Sequence, residues 1–334
     1  MKACVYGAGS FGTAIASVLT SNFDDVSLWG RDAKLISAIN ATRENAGYLP
    51  GLKLSERITA TTDVAQAARG AELIVVATPS HATRELMGKA LPSLPKNIPI
   101  VTVAKGIENE TLLTMTEVLE QCIPEELHPY VAVLSGPSFA KEMVQRMPTI
   151  VTIAARWEKL AQKCQKMFTS ETFRTYTSTD VVGVQVGGAL KNVIAIAAGM
   201  ADGLGFGHNA RAGIITRGLA EITRMAVRLG GNPLTLSGLA GMGDLVLTCT
   251  GELSRNRRVG FELGKGRKLD EILADMKQVA EGVKTAKSAM QLSQKTGVEL
   301  PICEQVYRIA WEGKSPRAAV VDLMGRTPKP ELNS

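Results

Sequence analysis

The sequence predicts an α/β protein in which a doubly wound, mostly parallel sheet is followed by an all-helical C-terminal domain. Three observations carry this prediction. A glycine-rich motif separates a strand from a helix near the N-terminus, continuous apolar runs then alternate with helical segments, and helical patterns dominate after about Thr179. We expect one domain over residues 1–180, a second over residues 181–325, and a flexible tail over residues 326–334.

The glycine-rich motif covers residues 7–12 and reads GAGSFG. It follows the β-rich run Lys2–Tyr6 and precedes Thr13–Thr20, whose apolar residues recur at helical spacing. A second strand follows at Val26–Trp29. This strand–turn–helix context distinguishes the motif from an ordinary glycine-rich turn and predicts a Rossmann-like, dinucleotide-binding βαβ unit.

Each glycine of the motif has a physical role in such a unit. Gly7 permits the tight turn, Gly9 lets a pyrophosphate approach the backbone, and Gly12 lets the helix pack closely on the strand. The helix N-terminus offers free N–H groups and a positive dipole to the phosphates.

The rest of the first half continues the alternation of strands and helices. Continuous apolar runs are typical of a parallel sheet that is covered on both faces. The later strands are predicted at Leu73–Ala77, Ile100–Val103, Val131–Leu134 and Ile150–Ala154. The helices between them are predicted near Ala82–Ala90, Thr111–Gln121 and Glu158–Phe168.

The end of the second strand bears on the choice of nicotinamide cofactor. NAD-specific folds place an acid there to bind the ribose 2′-OH. Here Gly30 occupies that place, and Arg31 after it can pair with a 2′-phosphate. Asp32 is the acid if the strand ends two residues later; otherwise it caps the helix that begins at Ala33. We expect NADP to be accepted, and NAD stays open.

The apolar segment Val181–Met200 contains a single charged residue, Lys191. The segment has about the length of a membrane span, but Gln185, Asn192 and four glycines favour a buried core helix. A lysine there is costly unless it is paired or neutral, and burial lowers its pKa toward the range of a proton donor or acceptor. The alternative is a lysine whose stem is buried while its ammonium group reaches solvent.

Two further motifs in the second half carry candidate ligand-binding residues. The glycines of GMGDL mark a turn that can bring Asp244 to a ligand or to Lys191, or Asp244 simply caps the segment after it. In SRNRR, Ser254 has the pattern of an N-cap, so Arg255 and Asn256 fall in the first helical turn. Cations are disfavoured at that end unless an anion binds, which predicts a phosphate site at these three residues. For Arg257 and Arg258 we favour a solvated basic face.

Two strand-to-helix turns of the first half complete the candidate site. Lys105 follows the strand that ends at Val103, and Ser138 follows the strand Val131–Leu134. Ligands bind at this carboxyl edge of a parallel sheet. Lys105 can bridge substrate and cofactor or be an exposed loop lysine; Ser138 can bind a phosphate or hydroxyl group or cap a helix.

Composition narrows the class of protein. A net charge of +6 suits an anionic small substrate, whereas aromatic residues at 4% argue against nucleic-acid binding. The five cysteines are scattered without a CxxC pair, which is typical of a reducing cytoplasm, and the three histidines lack metal-ligand spacing. We expect a cytoplasmic protein without a signal peptide, a bound metal or an integral membrane segment.

Eight blocks together carry a resemblance to a known family. They are GAGSFGTA, AKGIENET, SGPSFAKE, GGALKNVIAI, GFGHNAR, AGMGDLVLTCT, SRNRR and the VAEG of residues 279–282. Their order over nearly the whole chain resembles that of the bacterial-type NAD(P)-dependent glycerol-3-phosphate dehydrogenases. The resemblance implies reversible hydride transfer between dihydroxyacetone phosphate and sn-glycerol 3-phosphate, in the service of phospholipid synthesis.

The resemblance also implies roles for individual residues. Lys191 would be the proton donor and acceptor. The substrate would contact Lys105, Gly136, Ser138, Lys191, Asp244, Ser254, Arg255 and Asn256. The cofactor, NADP or NAD, would contact Ser10, Phe11, Arg31, Tyr48, Lys105, Ala140, Arg255, Val279 and Glu281, in addition to the glycines of the motif.

The chemistry of the residues agrees with these roles. Hydride transfer to a ketone leaves an alkoxide that needs a proton and a nearby positive charge. Lys191 can supply the proton, and Lys105 adds charge that depresses the pKa of Lys191, whereas Asp244 opposes that shift. A β-hydroxyacid dehydrogenase and a cofactor-sensing regulator are the rival interpretations. A homodimer is compatible with the resemblance; feedback, physiological direction and the NADP/NAD preference stay open.

Overall fold

A computed structural model describes residues 1–276 and 280–331. Among these residues eight strands form one sheet in the order β3-β2-β1-β4-β5-β6-β7-β8. All neighbouring strands are parallel except β6 and β7, which are antiparallel. The strands are β1 (Lys2–Tyr6), β2 (Asp25–Trp29), β3 (Ile58–Thr61), β4 (Leu73–Val76), β5 (Ile100–Thr102), β6 (Val131–Ser135), β7 (Thr149–Ala155) and β8 (Phe173–Ser178).

Helices cover both faces of this sheet. One buried cluster packs α1, α2 and α7 on one face, and a second packs α3, α4 and α5 on the other. This confirms the doubly wound, mostly parallel sheet. The helices of this half are α1 (Ser10–Leu19), α2 (Ala33–Thr42), α3 (Val64–Ala68), α4 (Thr83–Ala90), α5 (Met115–Cys122), α6 (Ala140–Val144) and α7 (Glu158–Phe168).

The rest of the chain is helical and surrounds one long central helix, α8. Its members are α8 (Val181–Gly203), α9 (His208–Arg228), α10 (Pro233–Leu236), α11 (Asp244–Thr250), α12 (Arg255–Gly264), α13 (Leu269–Ala274), α14 (Glu281–Thr296), α15 (Pro301–Glu312) and α16 (Pro316–Met324). Side chains from most of them form a third buried cluster around α8. The all-helical second half is therefore confirmed, while the limits at residues 180 and 326 stay predictions.

Helix α8 meets the length and composition test for a membrane span, as the only helix of the described residues that does so. However, 94% of its most apolar window is buried inside the protein. The expected buried core helix is therefore what the chain forms, and this helix carries Lys191 into the interior.

Two strands were missed by the sequence prediction, β3 and β8. Both lie at the edges of the sheet. Both alternate buried and more exposed residues. Neither contains the continuous apolar run that marks the strands of the sheet interior.

Two irregular segments position functional side chains. A 3-10 turn over Ser80–Ala82 follows β4, and a π-helical turn over Leu239–Gly243 leads directly into α11. At the end of β1, Gly7 has φ of +129°, and a Cβ atom there would lie 2.7 Å from the Ala77 carbonyl oxygen. Only glycine fits this turn, as the motif predicts.

Candidate active site

Two lysines and one aspartate meet where the carboxyl edge of the sheet faces α8. Nζ of Lys191 lies 2.9 Å from Oδ1 of Asp244, and Nζ of Lys105 lies 2.7 Å from Oδ2 of the same carboxylate. The side chains of Lys191 and Asp244 are 7% and 2% exposed, and that of Lys105 is 15% exposed. Asp244 therefore orients both lysines, and Lys191 does not extend to solvent.

The environment shifts the proton affinity of Lys191. Burial lowers its pKa to about 8, Asp244 opposes the shift, and the charge of Lys105 adds to it. These are the directions that the sequence predicted for each neighbour. Burial alone would raise the pKa of Asp244, but Lys105 and Lys191 hold it below its ordinary value, so the carboxylate stays ionised.

Thr248 is a further member of this group, and the sequence analysis missed it. Its hydroxyl accepts a hydrogen bond from Nζ of Lys191 at 2.7 Å and donates one to the backbone oxygen of Asp244 at 2.6 Å. Thr248 follows Asp244 by four residues on α11, so both side chains share one helix face. This spacing was the signal that could have identified it.

The turn after β6 supplies backbone and hydroxyl groups to the same place. The carbonyl oxygen of Gly136 accepts hydrogen bonds from Nζ of Lys105 at 3.0 Å and from Oγ of Ser138 at 2.9 Å. Gly136 has φ of +142°, and a Cβ atom there would lie 2.9 Å from Cα of Val151. The Lys105 turn and the Ser138 turn are thereby held together at the sheet edge.

A relay of asparagine amides connects this edge to the helical domain. Nδ2 of Asn192 donates to the Lys105 carbonyl oxygen at 3.3 Å, and Nδ2 of Asn256 donates to Oδ1 of Asn192 at 2.9 Å. The Gly282 N–H then donates to Oδ1 of Asn256 at 3.0 Å. Asn192, which the sequence analysis used only as evidence for a buried core helix, therefore joins segments from α8, α12 and α14 to the Lys105 turn.

The first turn of α12 has the predicted cap. Ser254 is buried, and its hydroxyl accepts a hydrogen bond from the Arg257 N–H at 3.2 Å. Desolvation lowers the pKa of Arg255, whose side chain is still partly exposed, and Glu281 and Tyr48 partly offset this shift. Tyr48 and Glu281 therefore lie close enough to Arg255 to interact with its charge.

The expectation of a solvated face holds for one of the two arginines that follow. Arg258 is exposed. The expectation was wrong for Arg257, because its guanidinium lies 2.7 Å from the Asp202 carboxylate and is only 22% exposed. Asp202 ends α8, so this ion pair joins α8 to α12.

The glycine-rich turn between β1 and α1 is tightly packed at Gly12 and open at Gly9. A Cβ atom on Gly12 would lie 1.8 Å from the Gly7 oxygen, whereas one on Gly9 would meet nothing within 4 Å. Gly9 therefore faces open space beside the N-terminus of α1, as a pyrophosphate requires. Ser10 and Phe11 lie in the first turn of α1, with Nζ of Lys105 5.6 Å from the Phe11 ring centroid.

Glu281 is a second feature that fits a bound cofactor. Its Oε1 accepts a hydrogen bond from the Ser80 N–H at 3.1 Å, while its buried Oε2 has no partner among the described residues. Burial raises its pKa to about 7. A buried acceptor without a donor is costly and suggests a ligand that supplies one.

The remaining predicted cofactor residues follow the carboxyl ends of strands in the sheet or lie outside the described residues. Arg31 is exposed in the β2–α2 turn, and Ala140 begins α6 next to the Ser138 turn. Asp32 caps α2, with its carboxylate accepting from the Lys34 N–H at 2.9 Å, so the capping alternative holds for it. Val279 lies outside the described residues. Within these residues no group of three metal-ligating side chains occurs.

Comparisons with known proteins cover the whole chain. The family model described as NAD-dependent glycerol-3-phosphate dehydrogenase N-terminus matches residues 2–161, and the C-terminus model of the same description matches residues 180–321. A glycerol-3-phosphate dehydrogenase (NAD(P)+) of Myxococcus xanthus is 71% identical over 332 residues, covering 99% of each chain. The one from Anaeromyxobacter dehalogenans is 56% identical over 332 residues, covering 99% of this chain and 100% of the relative.

Among solved structures, a crystal structure of glycerol-3-phosphate dehydrogenase from Coxiella burnetii matches with a TM-score of 0.92. It is 36% identical, and the match covers 97% of this chain and 99% of that one. The likeness therefore extends over both halves of the protein.

Proposed function

Because this chain belongs to the NAD-dependent glycerol-3-phosphate dehydrogenase family, we propose that it interconverts dihydroxyacetone phosphate and sn-glycerol 3-phosphate with NADPH or NADH. The observation that carries the proposal is the buried Lys191, paired with Asp244 and facing Lys105 at the sheet edge. This arrangement lies beside the glycine-rich turn, which Lys105 reaches through Phe11.

When bound, the nicotinamide would supply the hydride that reduces the substrate ketone. Nζ of Lys191 donates a proton to the carbonyl oxygen as negative charge develops there, and it takes the proton back in the reverse direction. A pKa of about 8 leaves this ammonium group mostly protonated near neutral pH and still able to release its proton. Asp244 and Thr248 hold Nζ in place, and Lys105 adds positive charge next to the same oxygen.

The substrate phosphate belongs at the first turn of α12. The hydroxyl of Ser254 takes up the Arg257 N–H, and the other N–H groups of this turn and the exposed Arg255 side chain are available to an anion. Asn256 is held by Asn192 and Gly282 and fixes the position of this turn relative to Lys105. Gly136 and Ser138 complete the substrate site from the sheet side.

For the cofactor we propose contacts on both domains. Gly7, Gly9 and Gly12 shape the turn that receives the pyrophosphate. The open space at Gly9 and the unpartnered Oε2 of Glu281 support this assignment. The other proposed contacts are Ser10, Phe11, Arg31, Tyr48, Lys105, Ala140, Arg255 and Val279.

The test is loss of absorbance at 340 nm with pure protein, dihydroxyacetone phosphate and either NADPH or NADH. We expect oxidation that depends on this substrate. Arg255→Ala should raise its KM by about tenfold or more, since a charge-assisted contact to phosphate is lost. No oxidation by folded protein that binds the cofactor would contradict the proposal, and an unchanged KM in Arg255→Ala would favour an unphosphorylated hydroxyacid.

Cofactor preference has its own test at Arg31. Arg31→Asp places an acid near the ribose and removes a cation, so we expect the ratio of NADPH to NADH turnover to fall. Arg258→Asp, an exposed arginine on α12, serves as the matched control. An unchanged ratio in Arg31→Asp would exclude Arg31 from 2′-phosphate recognition.

We further propose that the protein acts in the cytoplasm, in phospholipid synthesis, and assembles as a homodimer. A dimer could bury large apolar side chains that are exposed on the helical half, among them Leu234 at 76%, Val321 at 70% and Met324 at 81% exposure. Light scattering of the purified protein measures the assembly directly, and a monomer at micromolar concentration would contradict it.

A further inference from the structure

Two cationic side chains, Arg31 and Lys284, and the imidazole of His81 converge beyond the ends of β2 and β4, and none has an ion-pair partner in the described residues. Arg31 lies in the β2–α2 turn, His81 in the 3-10 turn after β4, and Lys284 in the first turn of α14. Both β2 and β4 pair with β1, so their ends are about 10 Å apart, two strand spacings. Arg31 and His81 therefore border the same part of the sheet edge.

A contact between the domains brings Lys284 to this place. The Ser80 N–H donates to Oε1 of Glu281 at 3.1 Å, which holds the turn of His81 against the start of α14. Lys284 follows Glu281 by three residues and so lies on the same helix face. The position of Lys284 thus depends on a hydrogen bond that connects the two halves of the chain.

The charges of Lys284 and Arg31 both act on His81. Partial desolvation lowers the pKa of His81, and the charges of Lys284 and Arg31 lower it further, so its imidazole is a neutral hydrogen-bonding group near neutral pH. The charge of Arg31 also contributes to the lowered pKa of Glu85. The carboxylate of Glu85, however, pairs with Nζ of Lys89 at 2.6 Å. Glu281 accepts from the Ser80 backbone. Arg31 and His81 are exposed and Lys284 is half-buried, so an anion from solvent can reach all three.

We propose that His81 and Lys284 complete, with Arg31, a subsite for the 2′-phosphate of NADP. This rests on the proposed function, because a dinucleotide bound at the glycine-rich turn extends its adenosine ribose toward the end of β2. A phosphomonoester carries close to two negative charges and three acceptor oxygens, which match two cations and an imidazole that can donate a hydrogen bond. The 2′-hydroxyl of NAD offers them neither.

The experiment measures binding without turnover. Isothermal titration with 2′,5′-ADP, 5′-ADP, NADP+ and NAD+ is carried out on the wild type, His81→Gln, Lys284→Gln and the double variant. We expect the affinity for NADP+ to fall about tenfold relative to that for NAD+ in each single variant, and further in the double variant. Lys287→Gln is the matched control, since this lysine lies on the same helix with Nζ 5.9 Å from the Trp311 ring centroid.

The outcomes separate this inference from the proposed reaction. Single variants that keep the wild-type ratio of NADP+ to NAD+ affinity overturn it, and so does a wild type that binds 2′,5′-ADP no better than 5′-ADP. Either result leaves reduction of dihydroxyacetone phosphate by NADH intact. Loss of 2′-phosphate discrimination in His81→Gln and Lys284→Gln supports the inference, even if the substrate proves to be another ketone.

Discussion

The aspartate between two lysines sets the charge of the site. Oδ1 and Oδ2 of Asp244 each face one ammonium group, at 2.9 Å from Lys191 and 2.7 Å from Lys105. One carboxylate cannot neutralise two cations, so the group keeps a net positive charge when both lysines are protonated. In a buried site such charge strongly stabilises an oxyanion.

Replacement of the proton donor tests this arrangement most directly. We expect Lys191→Ala to lower turnover by at least about 100-fold, because general acid–base catalysis by one side chain contributes that much. Lys265→Ala, an exposed lysine over Phe261, should leave turnover near wild type. Steady-state kinetics with circular dichroism measure rate and folding together; near-normal turnover by folded Lys191→Ala would refute the catalytic role.

The pH dependence of turnover follows from the same pKa. Reduction needs protonated Lys191, so its rate should fall as pH rises through about 8, and oxidation should show the opposite trend. Asp244 raises the pKa of Lys191, so Asp244→Asn should move the midpoint to lower pH. Rate profiles from pH 6 to 10 in both directions measure this; a midpoint that stays in place or moves upward would contradict the pairing.

For individual residues, the sequence predicted which side chains belong to the site better than it predicted the hydrogen bonds between them. Lys191 was identifiable because it is the only charge in an apolar helix, and Asp244 because glycines precede it. The amide relay through Asn192 and Asn256 was not identifiable, since two of its three hydrogen bonds join residues more than sixty positions apart in the chain. Such pairs depend on how α8, α12 and the Lys105 turn meet in space.

Among the secondary-structure elements, the closest contact is that between α8 and α12. Cβ atoms built on Gly199 and Gly260 would each lie 2.0 Å from a carbonyl oxygen of the opposite helix. The two backbones therefore approach to a distance that only glycine permits. This contact places the Ser254 cap beside the middle of α8, where Asn192 lies.

A methyl group at this contact should destabilise the protein. We expect Gly199→Ala to lower the free energy of unfolding by about 1–3 kcal/mol, because the Arg257 carbonyl cannot move without displacing α12. Gly213→Ala is the control, since its Cβ atom would meet nothing within 4 Å on α9 and alanine favours a helix. Thermal unfolding measures both; equal melting temperatures for the two variants would contradict the tight packing.

The sequence prediction missed the strands that are buried on one face only. The sequence marked all strands of the sheet interior because both of their faces are apolar. β8 reads FRTYTS and leaves Arg174 and Tyr176 exposed, so its pattern alternates instead. β3 reads ITAT and likewise alternates buried and more exposed residues. An edge strand forms because it pairs with a neighbouring strand of the sheet, and the local sequence pattern carries no information about that neighbour.

Across the whole molecule, polar contacts join the two halves at several points. Lys105 pairs with Asp244, Oε1 of Gln185 accepts from the Thr116 N–H at 2.8 Å, and Oγ of Ser288 donates to the Ile107 carbonyl oxygen at 3.1 Å. These contacts are buried or nearly so. Separation of the halves would leave each group without its partner.

The two halves should therefore unfold together. We expect one calorimetric transition, although chains with two domains often show two. A variant that keeps only Trp29 reports on the sheet, and one that keeps only Trp311 reports on the helical half, where its indole donates to the Val283 oxygen at 3.1 Å. Their fluorescence midpoints should coincide; midpoints several degrees apart would show that the halves unfold independently.

Helix α8 also has a consequence for synthesis of the chain. The helices that pack against it, α9, α11, α12, α14 and α15, all follow it in the sequence. While the ribosome still holds the rest of the chain, a segment with a mean hydropathy of 1.6 stands uncovered. The segment that carries the proposed catalytic lysine is thus one that the nascent chain exposes to membranes and to other copies of itself until its partner helices are synthesised.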